Sequence, residues 1–250
     1  MSPFCRRVEP EELDVLSADD PRGRRSRRDL RRVHVAMRSV SNLQRAVAAL
    51  QLAAQPRRIL ELGAGDGTLL LRFARATRPL WNDVQLTLLD RVDLVSEQTL
   101  AGYRKLGWQV SFLRADALEW AASGQTRSYD LCFANLFLHH FESAPLMILL
   151  RAVAATTDAF VAYEPRRSNI ARVGSRLIVL LGAGEVTRQD AVKSVAAGFT
   201  DRELSAAWNT PGGDWNLVEF PAPPFSHCLA AARAKSQLPT GQPQRRVHEL

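Results

Sequence analysis

The stretch "RRILELGAGDGTLLLRF", residues 57–73, sets three glycines, Gly63, Gly65 and Gly67, at the end of an apolar run and just ahead of a segment with helical spacing. So bare a backbone is needed where a chain turns sharply or where a ligand must approach the main chain without meeting a Cβ. In an open α/β sheet that place lies beyond the carboxyl end of a strand, where a helix N-terminus and free N–H groups point outward. A strand must therefore precede the turn and a helix must follow it.

The rest of the chain repeats that alternation. Residues 84–90, 108–115, 129–135 and 158–164 are, like 57–62, short apolar runs, most of them closed by a polar residue, with longer stretches of helical period between them. Strands buried on both faces and alternating with helices predict a parallel sheet with right-handed crossovers, the doubly wound α/β class. Residues 215–220 and 226–233 predict two further strands, joined by a Pro-rich turn and closing the sheet antiparallel, which makes it seven-stranded and mostly parallel. Ahead of the first strand, Val33, Met37, Val40, Leu43, Val47 and Leu50 form one stripe on a helix expected from Leu30 to about Leu52, after a break at "DPRGRRS". Residues 9–20 are acidic and predict a short helix or an irregular arm. The expected division is an N-terminal arm and lid helix over 1–55, a main domain over 56–234 with a helical insertion at 165–186, and a disordered tail over 235–250. Within the main domain, Thr187 with Asp190 and Thr200 with Glu203 have capping-box spacing, and Gly198 sits where a helix C-cap would fall.

Charge and cysteine content narrow the function classes. The net charge is +7, yet the excess lies at the two ends: residues 1–50 hold 11 Lys+Arg against 7 Asp+Glu, and residues 233–250 hold 4 against 1. A neutral body is not the continuous basic groove that nucleic acid requires, so no nucleic-acid partner is expected. Cys5, Cys132 and Cys228 are too far apart for a disulfide framework or a zinc site, and no metal is expected. Nothing reads as an export signal or a membrane span, which predicts a cytoplasmic protein.

The glycine turn selects its ligand. A dinucleotide turn wants a third glycine at position 68, which is Thr68, so the spacing is G-x-G-x-G. Glu61 and Asp66 beside the turn suit a cation better than a pyrophosphate. Asp90 closes the second strand about 20 residues on, where a carboxylate accepts both ribose hydroxyls. Asp116 after the third strand is placed to meet an adenine amino group. The ligand implied is nucleoside-like and positively charged.

The segments "ELGAGDGTLL", "LLDRVDL", "RADALEW" and "FANLFLHHF" together resemble the successive cofactor motifs of class I S-adenosylmethionine-dependent methyltransferases, over residues 55–232. The pieces "YEPRRSNIA", "VTRQDAVKSVAAGF" and "FSHCLAAA" resemble a bacterial small-molecule branch associated with polyketide or quinone-like phenolic products of secondary metabolism. The resemblance implies S-adenosylmethionine as cofactor and a small-molecule acceptor methylated at oxygen. It implies that Glu61, Gly63, Ala64, Gly65 and Gly67 border the methionine part, Asp90 with Arg91 the ribose, Asp116 with Ala117 the adenine, and that Asn135 and Leu136 face the cofactor near its sulfonium.

An oxygen acceptor must lose a proton, and histidine is the usual base. His139 and His140 follow the fourth strand at the mouth of the cleft; one of them is expected to face the acceptor, with His140 preferred. Phe137 and Phe141 are expected in the core, and Glu164 in a buried pair with a nearby arginine. His34 and His227 read as satisfied structural histidines. The N-terminal helix is expected to act as a lid, and "RLIVLLGAG" to line a pocket or a homodimer contact. The alternatives are an RNA methyltransferase using the Arg-rich N-terminus and a non-catalytic module that binds the cofactor.

Overall fold

A computed structural model describes residues 5–77, 79–124, 129–208 and 214–234; the tail expected to be disordered lies outside them. Seven strands form one sheet: β1 (Arg58–Leu62), β2 (Gln85–Asp90), β3 (Gln109–Arg114), β4 (Leu131–Asn135), β5 (Ala159–Pro165), β6 (Trp215–Ala222) and β7 (Ser226–Arg233). The order is β3-β2-β1-β4-β5-β7-β6. The first five strands are parallel, and β7 runs antiparallel to both β5 and β6.

The helices are α1 (Glu12–Val15), α2 (Pro21–Ala36), α3 (Ser39–Ala49), α4 (Thr68–Ala76), α5 (Glu97–Arg104), α6 (Ala117–Ala122), α7 (Ser143–Thr156), α8 (Asn169–Leu177), α9 (Glu185–Ala197) and α10 (Glu203–Ala207). Alternate residues of the central strands face opposite layers. Ile59, Phe133 and Val161 pack with α3, α4 and α5 through Leu43, Leu70, Phe73 and Tyr103. Leu60, Cys132 and Ala162 pack with α6, α7 and α10 through Trp120, Leu149, Val153 and Leu204. Burial on both faces is why these strands read as continuous apolar runs.

The N-terminal region departs from the expected single helix. α2 starts earlier, at Pro21, because Asp20 accepts the Arg22 N–H at 2.7 Å and proline is tolerated in a first helical turn. "DPRGRRS" is thus a helix start and not a break. The helix then ends at Ala36, and Arg38 takes a left-handed conformation (φ 53°) before α3 begins. The apolar stripe spans two helices with different jobs. Leu43, Ala46 and Leu50 of α3 belong to the main core, while Val33 of α2 packs outside the sheet layers with Ile178 and Ala183 of the insertion.

Two local expectations also change. α9 begins two residues before Thr187, whose hydroxyl donates to Ser26 Oγ at 2.9 Å, and the Asp190 carboxylate accepts the N–H groups of Glu12 and Leu13 at 2.8 and 2.9 Å. That pair docks the N-terminal arm rather than capping its own helix. At the next start, Glu203 accepts the Thr200 N–H at 2.9 Å, one half of the reciprocal box, while the Thr200 hydroxyl receives Arg167. Gly198 does end α9, but with φ −64°, so left-handed geometry is not its reason. A Cβ there would lie 2.4 Å from the Pro165 carbonyl oxygen.

Candidate active site

The glycine turn is built by hydrogen bonds that leave its outer side bare. Gly63, Gly65 and Gly67 all have positive φ, between 55° and 66°. The Ala64 N–H donates to the Leu89 carbonyl at 3.1 Å, and the Gly65 N–H donates to Asp90 Oδ2 at 2.9 Å, which ties the turn to the tip of β2. Asp66 turns back, accepting from the Thr68 N–H at 3.0 Å and pairing with Arg31 at 3.1 Å. A Cβ on Gly65 would meet nothing within 4 Å, whereas one on Gly63 would collide with the Phe137 ring at 2.2 Å. One glycine faces open space and another supports an aromatic wall.

Behind the turn, Glu61 is 2% exposed. Asn135 Nδ2 donates to its Oε1 at 2.7 Å, while Glu61 Oε2 and Asn135 Oδ1 are buried with no partner. Burial, reinforced by the charges of Asp66 and Asp90 and only partly offset by the Asn135 hydrogen bond, pushes the Glu61 carboxyl up to about 8. Two buried acceptor oxygens without donors fit a ligand that brings a cation or N–H groups. Asp90 keeps its other oxygen on the Val92 N–H at 3.1 Å. Arg91 follows it, exposed. Asp116, at the tip of the outer strand β3, caps α6 by accepting the Leu118 N–H at 2.7 Å, and Ala117 is buried behind it. The structure therefore joins Glu61 with Asn135 and Gly65 with Asp90, and holds Asp116 farther along the same row of strand tips.

A second group of candidate residues is brought together by β4, β5 and the arm. After Asn135, Leu136 adopts a left-handed conformation (φ 53°) and donates its N–H to the Tyr163 carbonyl at 2.7 Å. This bend carries Phe137 against Gly63 and starts the 3-10 turn Leu138–His140. Phe137 and Phe141 meet edge to face at 5.1 Å, partly buried against the core. Glu164, expected to pair with an arginine, lies instead under this turn. It accepts the N–H groups of Phe137 and Leu138 at 3.0 and 2.8 Å and His139 Nδ1 at 2.8 Å. Arg167 pairs with Glu203.

The two histidines differ sharply. His139 is 3% exposed, with Glu164 on Nδ1 and Glu11 of the arm 3.4 Å from Nε2. Burial alone would lower its pKa, but hydrogen bonds to the two carboxylates and their charges outweigh that and raise it to about 9. It is an imidazolium clamped between two anions. His140 has a 23% exposed side chain, and its Nδ1 lies 3.2 Å from Asp14 Oδ2 on α1. The Asp14 carboxyl is held below its ordinary value: burial opposes this, and the hydrogen bond to His140 and its charge prevail. Arg6 anchors the arm by donating to the carbonyls of Phe141 at 2.8 Å and Ala197 at 2.8 Å.

Glu11 and Asp14 do not stand out in the sequence. Their one signal is the acidic run at 9–20, which shows charge but no partner. His227 is buried and its Nε2 pairs with Glu219 at 2.9 Å, yet its buried Nδ1 has no partner, so it is only half satisfied. His34 is not satisfied, because its buried Nδ1 has no partner.

Residues 59–158 match a family described as a methyltransferase domain. No curated protein matches the chain in sequence. Among solved structures, the chain is similar to the plantazolicin methyltransferase BpumL in complex with SAH, at 16% identity and a TM-score of 0.58, covering 86% of this chain and 92% of that one. It is similar to the mitomycin 7-O-methyltransferase MmcR, at 18% identity and a TM-score of 0.55, over 89% of this chain and 60% of that one. An O-methyltransferase family protein from Burkholderia thailandensis aligns at 16% identity and a TM-score of 0.54, over 88% and 62%.

Proposed function

Since the chain is a class I S-adenosylmethionine-dependent methyltransferase, we propose that its acceptor is a small aromatic or polyketide-like molecule methylated at oxygen, with His140 as the base. The bound donor supplies an already activated methyl group on a sulfonium. The chain's own residues bind, align and remove a proton.

Glu61 and the Asn135 carbonyl oxygen, both lacking donors, are assigned to the amino end of the donor. The carboxylate of Asp90 is assigned to the ribose with Arg91 beside it, and Asp116 with Ala117 to the adenine, where Asp116 still has an oxygen beyond the one capping α6. Ala64, Gly65 and Gly67 offer bare main chain, and Leu136 borders the methyl group. Phe137 on Gly63 walls the donor side from the acceptor side.

On the acceptor side, the observation that carries the assignment is the contrast between the histidines. A cationic His139 has both ring nitrogens engaged and no lone pair to offer. His140 holds Nδ1 3.2 Å from Asp14 Oδ2, and we assign its Nε2 to take the acceptor's hydroxyl proton. Four of the seven arginines of α2 are held by carboxylates, Arg22 by Glu12 and Asp20, Arg24 by Asp19, Arg31 by Asp66 and Arg32 by Asp29, which supports a small acceptor over RNA.

The test is to incubate the protein with isotopically labelled methyl donor and bacterial extracts and to identify the labelled product by mass. A methyl ether on a small phenolic product is expected; label appearing only in RNA would overturn the reading. With that acceptor in hand, His140→Ala should lower kcat about a hundredfold or more while donor affinity is kept. Asp14→Asn should lower kcat by about tenfold with donor affinity kept.

A further inference from the structure

Beside the cleft, α2, the link to α3 and the start of α4 surround a cavity of about 190 Å³ lined by His34, Arg38, Ser39, Ser41 and Arg72. α3 begins here with no side-chain cap and no acidic residue in its first turn. Its leading N–H groups therefore present the positive end of the helix to the cavity. Arg38 and Arg72 add two guanidinium groups. Neither is in an ion pair among the described residues, and Arg72 makes one long bond, 3.4 Å, to the Arg31 carbonyl.

His34 supplies an independent sign. It lines the cavity, and its Nδ1 is buried without any partner. Burial lowers its pKa to about 4, so the ring is neutral at physiological pH and offers one N–H and one lone pair. A buried ring nitrogen left without a partner costs free energy unless something completes its hydrogen bond. No carboxylate lines the cavity. Asp66, which acts on His34 electrostatically, is already engaged by Arg31 and by Thr68. Ser39 bonds Tyr163 Oη at 2.9 Å, while Ser41 is exposed.

We propose that this corner binds an oxyanion group, a phosphate, sulfate or carboxylate, held by Arg38, Arg72, His34, the Ser41 hydroxyl and the N-terminus of α3. The chemistry follows from the donors: planar guanidinium forks suit tetrahedral and planar oxyanions, and a helix start suits any of them. The inference rests on these donors and not on the proposed acceptor or base. α2 is nonetheless tied to the glycine turn by Arg31 and Asp66, so the oxyanion has two sources, a separate ligand or the carboxylate of the methyl donor.

The experiment uses the full chain and inorganic phosphate, then sulfate, titrated calorimetrically at constant ionic strength. Binding with Kd near or below about 1 mM is expected. Arg38→Gln with Arg72→Gln should weaken it about tenfold or more, with circular dichroism confirming the fold. Arg104→Gln, remote from the cavity, should leave it unchanged. Repeating the titration with saturating S-adenosylhomocysteine separates the sources: displacement of phosphate assigns the site to the donor's carboxylate, and unchanged binding assigns it to a separate ligand. No phosphate or sulfate binding up to about 20 mM, or equal binding by the wild type and the double variant, overturns the proposal.

Discussion

Glu61 stores a proton that donor binding should release. With its carboxyl raised to about 8, the side chain is mostly neutral at pH 7, and an ammonium group brought to its free oxygen would favour the ionised form. Calorimetry of S-adenosylhomocysteine binding at pH 7, in two buffers of different ionisation enthalpy, should therefore show nearly one proton released. Glu61→Gln should abolish that release and weaken binding about tenfold. His139 titrates in the opposite sense. Its folded-state pKa of about 9 lies above the unfolded value of 6.5, so its contribution to stability is fully present below pH 6.5 and is lost as pH rises through 9. Thermal unfolding should show Tm falling over that window, and His139→Gln should flatten the fall. The positions of Asp90 and Asn135 were legible in the sequence because a polar residue closing an apolar run has a fixed address, the strand tip, and Glu61 lies one residue inside the end of β1. The roles of the two histidines were not, since adjacent side chains differ only in what approaches them, and here the approaching groups are Glu11, Asp14 and Glu164.

Among the elements, the sheet was readable and the helix ends were not. Apolar runs announced β1 to β5, although the edge strand β3 has no buried residue, and the Pro-rich turn announced the antiparallel closure by β7. Periodicity alone could not show that Arg38 divides α2 from α3, because both helices carry an apolar face in nearly continuous phase. Gly198 is a similar case. Its place at the end of α9 was predictable, but its reason is the main chain of β5, which no local pattern reports. Gly198→Ala must displace the Pro165 carbonyl from a 2.4 Å contact. We expect a loss of about 1–3 kcal/mol in chemical denaturation, with donor binding retained by the fraction that folds.

For the whole molecule, the insertion leaves an apolar stripe uncovered. Ile170, Val173, Leu177 and Leu180 lie on one side of α8 and the following turn, and Leu180 is 79% exposed. Such a face is costly to leave in water, and a second copy of the chain is the occupant we expect. Light scattering at micromolar concentration should report a dimer, and Leu177→Ser with Leu180→Ser should give a monomer that still binds S-adenosylhomocysteine; a monomeric wild type would remove this reading. No helix among the described residues is long and apolar enough to cross a membrane.

The proposed contacts to the donor's nucleoside come from segments from β1 onward, whereas Glu11 and Asp14 reach the histidines from ahead of α2. Capture of the nucleoside and its expenditure are thus held by separable stretches of one polypeptide. Trimming of residues 1–20 would leave a protein that sequesters its activated methionine and spends none of it.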